Sequence, residues 1–124
     1  MPDRYGALER SARTTMISWE RVADLKADFG EDGFAEVVAV FLEEFDAAVA
    51  ELGAAKDGEA LARALHFLKG GALNLGFTDV GALCGDGEKH VRAGTAGDGL
   101  VDRIAELYAL SRAEFLSGIE RTRA

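Results

Sequence analysis

The sequence feature that most constrains the fold is the spacing of apolar residues in Leu61–Gly76. Apolar side chains recur there at intervals of four and three residues: Leu61, Leu65, Leu68, Ala72 and Leu75. This is the period of an α-helix with one buried face, and not the alternation of a strand. A second stripe, turned by about 100° round the same helix, consists of Ala62, His66, Lys69 and Leu73. The pattern predicts an amphipathic helix with a histidine and a lysine between core and solvent.

Two adjacent glycines, Gly70 and Gly71, follow Lys69 within this predicted helix. Each glycine inside a helix costs roughly 1 kcal/mol relative to alanine, because it loses more conformational freedom on folding. Helix stability therefore does not explain the pair. Close approach of another surface is the usual physical reason, so we expect a second surface to contact the helix here.

The apolar spacing predicts four more helices, which cover residues 18–29, 34–52, 79–92 and 100–119. Ser18 is a favourable N-cap for the first of them, and Gly30 ends it. The longer helices have short connections and one apolar side each, so they pack most simply as an antiparallel bundle. The predicted fold is all-α: an up-down four-helix bundle with an additional short N-terminal helix that covers one end.

The length of the chain, 124 residues, suits one domain with a substantial core. We assign this domain to residues 17–124. Residues 1–16 lack clear periodicity, and we interpret them as an N-terminal tail or leader.

Composition limits the classes of function. The formal net charge of −8 argues against a surface for nucleic acid or an anionic membrane, since both require clustered Lys and Arg. Cys84 is the only cysteine, which excludes an internal disulfide and indicates a reducing compartment. No apolar run approaches the ~18 residues of a transmembrane helix, and the N-terminus has no signal-peptide core. We therefore expect a soluble, cytoplasmic protein.

The turn at Phe77 relates the two helices on either side of it. His66 lies eleven residues before Phe77, and Glu88 lies eleven residues after it. In an antiparallel pair without offset such residues are level, so the imidazole and the carboxylate are expected to meet. A carboxylate that accepts a hydrogen bond from one ring nitrogen fixes the tautomer and makes the other nitrogen more basic. The outer nitrogen of His66 is then an unprotonated nucleophile.

Lys69 and Gly70 suit the same chemistry. Lys69 lies one helical turn beyond His66 and would place a positive charge beside any anion that reaches the ring. Gly70 removes side-chain bulk at the same level. A nucleophilic imidazole, a cation and an open approach favour transfer of a phosphoryl group, in which a protein mainly positions groups and stabilises charge.

At these residues the sequence resembles a known family. The segment H-F-L-K-G-G-A-L-N-L-G at 66–76 is similar to the H-x-L-K-G-x-(S/A)-x-x-(L/F)-G signature of histidine-containing phosphotransfer (HPt) domains. Three flanking segments resemble HPt sequences in the expected order: F-L-E-E-F at 41–45, A-L-A-R-A-L at 60–65 and V-G-A-L-C-G-D-G-E at 80–88. The resemblance spans roughly residues 32–118. In the last segment, the family usually has leucine where this chain has Gly87.

The resemblance implies roles for the residues already selected. His66 would be phosphorylated in a two-component phosphorelay, and Lys69 would stabilise the phosphoryl group. Gly70 would admit the partner, and Glu88 would orient the ring.

The resemblance also implies the partners, which are receiver domains of response regulators and a sensor or hybrid histidine kinase. The aspartate and Mg²⁺ of the receiver would supply the other half of the chemistry, and the HPt domain itself would need no cofactor. The chain contains no Gly-rich phosphate loop or ATP-binding segment, in keeping with a carrier and not an enzyme with a kinase core. A monomer is expected, because the docking face must stay free.

Two other hypotheses remain open from the sequence. One is a non-phosphorylated helical adaptor that binds and inhibits a receiver or kinase, suggested by the glycine-rich helix predicted at 79–92. In such an adaptor, replacement of His66 by alanine would leave partner binding intact. The other is a detached part of a larger kinase, against which a complete predicted bundle without a kinase core argues.

Overall fold

The computed structural model describes residues 16–123, with side chains described for residues 16–120. Four α-helices occur in this part of the chain: α1 (Trp19–Glu51), α2 (Gly58–Leu75), α3 (Thr78–Ala93) and α4 (Leu100–Arg123). A short 3-10 helix, Leu52–Ala54, directly follows α1. The described chain contains no strand, so the predicted all-α class is confirmed. Of the predicted N-terminal tail, residues 1–15 lie outside the described residues.

None of the helices described here is both long enough and apolar enough to cross a membrane.

A kink at Gly30 divides α1. The sequence predicts two helices in this region, and the structure has two helical segments that meet at Gly30 within the bounds of α1. Within that element Gly30 has φ 75° and ψ 169°, which are not helical values and which glycine adopts without steric cost. Ser18 caps the start of α1, since its hydroxyl accepts a hydrogen bond from the backbone N–H of Arg21 at 3.2 Å. The long helix thus changes direction at the residue where the sequence predicts an end.

A tight turn at Gly76 and Phe77 joins α2 to α3. Gly76 has φ 95°, and its N–H donates to carbonyl groups in the last turn of α2. The N–H of Phe77 donates to the carbonyl of Ala72 at 2.7 Å. This is the hydrogen-bond pattern of a helix that ends in a left-handed glycine, and it turns the chain back immediately.

Contacts between α2 and α3 occur in reverse order along the chain. Close to the turn, Gly81 faces Leu73, and farther from the turn Gly85 faces Lys69. Residues progressively later in α3 therefore meet residues progressively earlier in α2. This pairing is the arrangement on which the predicted contact of His66 depends.

One apolar core connects the helices. The ring centroid of Phe45 lies 4.9 Å from that of Tyr108, and the centroid of Phe77 lies 5.2 Å from that of Phe115. Such pairs contribute about 0.5–1.5 kcal/mol each beyond the burial of their area. The predicted apolar face of α2 contributes four fully buried residues: Leu65, Leu68, Ala72 and Leu75. This buried face fixes how α2 is rotated, and so which residues it presents to solvent.

Candidate functional site

His66 lies on the exposed side of α2, where its side chain is 70% exposed. Leu65 and Leu68, on the opposite side of the helix, are completely buried. Because these leucines hold α2 against the core, the imidazole is presented to solvent from a rigid element.

Glu88 meets His66 across the turn between α2 and α3. Oε1 of the carboxylate lies 3.1 Å from Nδ1 of the ring, as the equal distance of the two residues from Phe77 predicts. The Glu88 side chain is only 13% exposed. The structure therefore brings the predicted imidazole and carboxylate together, with the carboxylate the more buried of the two.

Arg92 is a second partner of this carboxylate and is not among the predicted site residues. Its Nε lies 3.1 Å from Oε2 of Glu88, one turn earlier on α3. A glutamate four residues before an arginine is a favourable pair on a helix, and this spacing is the signal that could have identified it. The two oxygens of Glu88 thus have separate partners, Arg92 and His66.

The surroundings of Glu88 keep its carboxyl group ionised. Partial burial opposes ionisation, but the hydrogen bonds and charge of Arg92 and His66 outweigh it and lower the pKa of Glu88 below its ordinary value. An ionised carboxylate has no proton to donate, so Nδ1 of His66 is the donor in their hydrogen bond. In the neutral ring the lone pair is then on Nε2, where an electrophile from solvent can reach it.

Lys69 follows His66 by one helical turn, and its aliphatic chain lies against α3. A Cβ atom at Gly85 would lie 3.3 Å from Cδ of Lys69, so the missing side chain leaves room for the lysine. The Lys69 ammonium forms no ion pair with another described residue. Among the described residues it therefore has no counter-charge, and it lies one turn from the imidazole.

The two glycines after Lys69 have different surroundings. Gly70 is exposed, and outside the backbone of its own helix no described atom lies within 4 Å of the position that a Cβ atom would occupy. A Cβ atom at Gly71 would instead lie 3.3 Å from the rings of Phe41 and Phe45 on α1. The second surface expected from the sequence is thus α1 at Gly71, whereas Gly70 leaves open space beside the histidine.

Exposed apolar side chains occur on α2 and α1. Phe67 directly follows His66 and is 58% exposed, and Val40 on α1 is 56% exposed. Aromatic side chains are enriched where proteins dock on one another. A nucleophile beside an open glycine and an exposed phenylalanine therefore suits reaction with a group on another protein.

Other candidate chemistry is limited. Among the residues that the structure describes, no three His, Cys, Asp or Glu side chains are grouped so that they could hold a metal ion. Cys84 is buried, and burial raises the pKa of its thiol to about 12. A thiol that stays protonated is a poor nucleophile, so Cys84 contributes packing.

Comparison with known protein families identifies the family of this chain. The family model described as Hpt domain matches residues 36–114, which is more than half of the chain. The match includes all four predicted site residues: His66, Lys69, Gly70 and Glu88. Comparison with curated proteins and with solved structures found no match. The resemblance seen in the sequence is confirmed by the family model, and the chain belongs to the Hpt domain family.

Proposed function

We propose that His66 is the residue on which this Hpt domain carries a phosphoryl group in a two-component phosphorelay. Hpt domains are phosphotransfer carriers of such relays and not kinases. The observation that carries the proposal is the 3.1 Å contact between Nδ1 of His66 and the carboxylate of Glu88, which in the neutral ring leaves the lone pair on Nε2 of an exposed side chain. The second histidine, His90, has its Nδ1 2.9 Å from the hydroxyl of Thr95 and no carboxylate partner among the described residues.

In the proposed step, the lone pair of Nε2 attacks the phosphorus atom of an aspartyl phosphate on a receiver domain. An N–P bond forms, the acyl P–O bond breaks, and its electron pair stays on the aspartate as carboxylate. Nδ1 of His66 keeps its proton, so the ring becomes positively charged. Ionised Glu88 stabilises that charge, as the aspartate of a catalytic triad stabilises its imidazolium. The reverse step passes the phosphoryl group to a second receiver.

Lys69 and Gly70 have separate roles in this proposal. The ammonium of Lys69, which pairs with no described carboxylate, stabilises the negative charge on the phosphoryl oxygens. Gly70 admits the receiver, and the open space at its Cβ position supports this role. Phe67 adds an apolar contact beside the transferring group.

The proposed partners are receiver domains of response regulators and a sensor or hybrid histidine kinase. The Mg²⁺ ion required for transfer belongs to the receiver, and the Hpt domain itself holds no cofactor. We place the protein in the cytoplasm as a monomer, with its helices in an antiparallel four-helix bundle and an N-terminal helical segment across one end. The open face at Gly70 supports a monomer, because a second copy on that face would block the receiver.

The direct test is phosphotransfer to the full chain from a phosphorylated receiver with Mg²⁺. We expect acid-labile phosphate on the wild-type protein and none on His66→Gln. His90→Gln is the matched control, and we expect it to accept phosphate like the wild type. Circular dichroism should show the same helical content in all three proteins, since both histidines are exposed.

Two results would contradict the proposal. Phosphate that persists on His66→Gln would move the site to another residue. Receivers of the source organism that bind the wild-type protein without transferring phosphate would support the helical adaptor instead.

A further inference from the structure

The last turn of α3 is held in place by its own cap, and it carries Arg92. α3 ends at Gly94, which has φ 73° and whose N–H donates to the carbonyls of His90 and Val91. The N–H of Thr95 also donates to the carbonyl of His90 at 2.8 Å. This pattern satisfies the carbonyls that would otherwise fray the helix end. Arg92 therefore projects from a fixed turn, where a cation is also favoured by the helix dipole.

Glu88 needs a second contact to keep one orientation. Its hydrogen bond to His66 uses Oε1 alone, and a single bond leaves the carboxylate free to rotate about its last torsion angle. The bond from Nε of Arg92 holds Oε2, so the two contacts together fix the plane of the group. Arg92 contacts Glu88, whereas the structure gives no hydrogen bond or ion pair between Arg92 and His66.

We propose that Arg92 is a positioning residue for phosphotransfer, which acts by holding Glu88 so that the proton of His66 stays on Nδ1. The inference rests on the proposed function of His66. Glu88 is the residue that contacts the reacting ring, and Arg92 acts through it. Arg92 thereby determines how large a fraction of the neutral ring has its lone pair on Nε2, the atom that attacks phosphorus.

The first experiment measures the tautomer of His66 directly. Nitrogen-15 NMR of the full chain distinguishes a protonated Nδ1 from a protonated Nε2 in a neutral imidazole. We expect Nδ1–H in the wild type and a mixture of both tautomers in Arg92→Met. Arg92→Lys should return the signals toward the wild type, because its ammonium can still reach the carboxylate. The signals of His90 serve as an internal reference and should not change.

The second experiment measures the rate of labelling with phosphoramidate, a small donor that needs no receiver. Nε2 attacks its phosphorus atom, the N–P bond to the ring forms, the P–N bond of the donor breaks, and ammonia leaves. We expect Arg92→Met to slow labelling about tenfold, by analogy with the losses caused by removing a residue that orients a metal-bound histidine. Arg63→Met is the matched control: it removes a charge one turn before His66, and Arg63 pairs with Glu59 instead.

A double mutant separates positioning from a direct effect of charge. In the Glu88→Gln background, Arg92→Met should cause no further loss of rate, because the arginine acts through Glu88. A further tenfold loss in that background, or equal slowing by Arg63→Met, would overturn the inference.

Different experimental results would overturn this inference and the proposed function. Unchanged ring signals of His66 in Arg92→Met would overturn the positioning role even if His66 accepts phosphate. Absence of label on His66 in the wild type would overturn the proposed function, whatever the NMR signals show.

Discussion

Gly70 and Gly71 are neighbours in the chain that face different surroundings. Gly71 lets the rings of Phe41 and Phe45 approach α2, so its missing side chain serves the core. Gly70 has open space above it and makes no such contact. Both glycines lower the stability of the helix, but only Gly70 leaves room for a partner protein.

Replacement of Gly70 by leucine tests whether this residue leaves room for a partner. We expect Gly70→Leu to raise the free energy of unfolding by about 0.5–1 kcal/mol, since leucine is the better helix former and the Cβ position there is open. Transfer from a phosphorylated receiver should slow at least about tenfold, because the side chain misplaces the docked partner. Urea denaturation and transfer kinetics measure the two effects. Labelling by phosphoramidate should keep its wild-type rate, and a variant that slows both donors equally would contradict a docking role.

For single residues, sequence spacing could predict contacts within α2 and across the turn that follows it. The contact of His66 with Glu88 follows from their equal distance from Phe77, provided that the helices pair without offset. The partners of Gly71 could not be predicted, because they lie on α1 and depend on how α1 and α2 are rotated against each other. The contact of Arg92 with Glu88 could be predicted from their spacing of four residues, but only if Glu88 is already assigned to the site.

The glycines of α3 form its contacts with neighbouring helices. Gly81 lies under Leu73, and Gly85 lies under Lys69. A Cβ atom at Gly87 would lie 3.1 Å from both methyl groups of Leu100, the first residue of α4. The sequence shows the intrinsic cost of these glycines, but not these partners, because the partners lie on α2 and α4. Leu100 therefore lies where a side chain at position 87 would begin.

Gly87→Leu, which restores the residue usual in the family, should therefore destabilise this protein. We expect a loss of about 1–3 kcal/mol in the free energy of unfolding, because the new side chain must share its space with Leu100. Leu100→Ala alone should cost about 2–5 kcal/mol through the cavity that it leaves. Urea denaturation of both variants measures these losses.

The double variant decides whether one leucine replaces the other. Gly87→Leu with Leu100→Ala should lose at least ~0.5 kcal/mol less than the sum of the single losses, since each change makes room for the other. Strictly additive losses would show that the two positions do not share one space.

Across the whole molecule, α1 and α4 are joined by a polar contact as well as by the core. The hydroxyl of Tyr108 donates to Oδ1 of Asp46 at 2.5 Å, and Arg112 binds both oxygens of the same carboxylate. Burial and then the bond to Asp46 raise the pKa of Tyr108 well above its ordinary value. The folded protein thus holds the tyrosine proton more tightly than the unfolded chain does.

This contact predicts a loss of stability in alkali. Tyr108 contributes its full stabilisation below the pKa of an unfolded tyrosine, about 10, and loses it as the pH rises above that value. Tyr108→Phe should cost about 1 kcal/mol at neutral pH and should be less sensitive to alkali than the wild type. Urea denaturation at a series of pH values measures both. Parallel pH profiles for the two proteins would contradict the role of this hydroxyl, since every other titratable group is common to both.

The sequence could predict the all-α class because helical spacing is a local property that burial on one side imposes. It could also predict a break at Gly30, since only glycine readily adopts positive φ. The route of the chain after this break is not local. It depends on where the indole of Trp19 packs. The indole packs against Gly118, almost at the other end of the chain.

The contact between Trp19 and α4 fixes the start of α1 against the far end of the molecule. The indole stacks on Phe115 with ring centroids 6.1 Å apart and an interplanar angle of 12°. A Cβ atom at Gly118 would overlap the indole ring, so this face of α4 must lack a side chain.

The Gly118→Ala variant should therefore displace the indole and lower the free energy of unfolding by about 1–3 kcal/mol. Trp19 is the only tryptophan, so its fluorescence emission should shift to longer wavelength as the ring becomes exposed. Gly97→Ala is the matched control, because a Cβ atom there meets nothing within 4 Å. Emission and stability that change equally little in both variants would show that the start of α1 is held by Val22 and Leu25 without the indole.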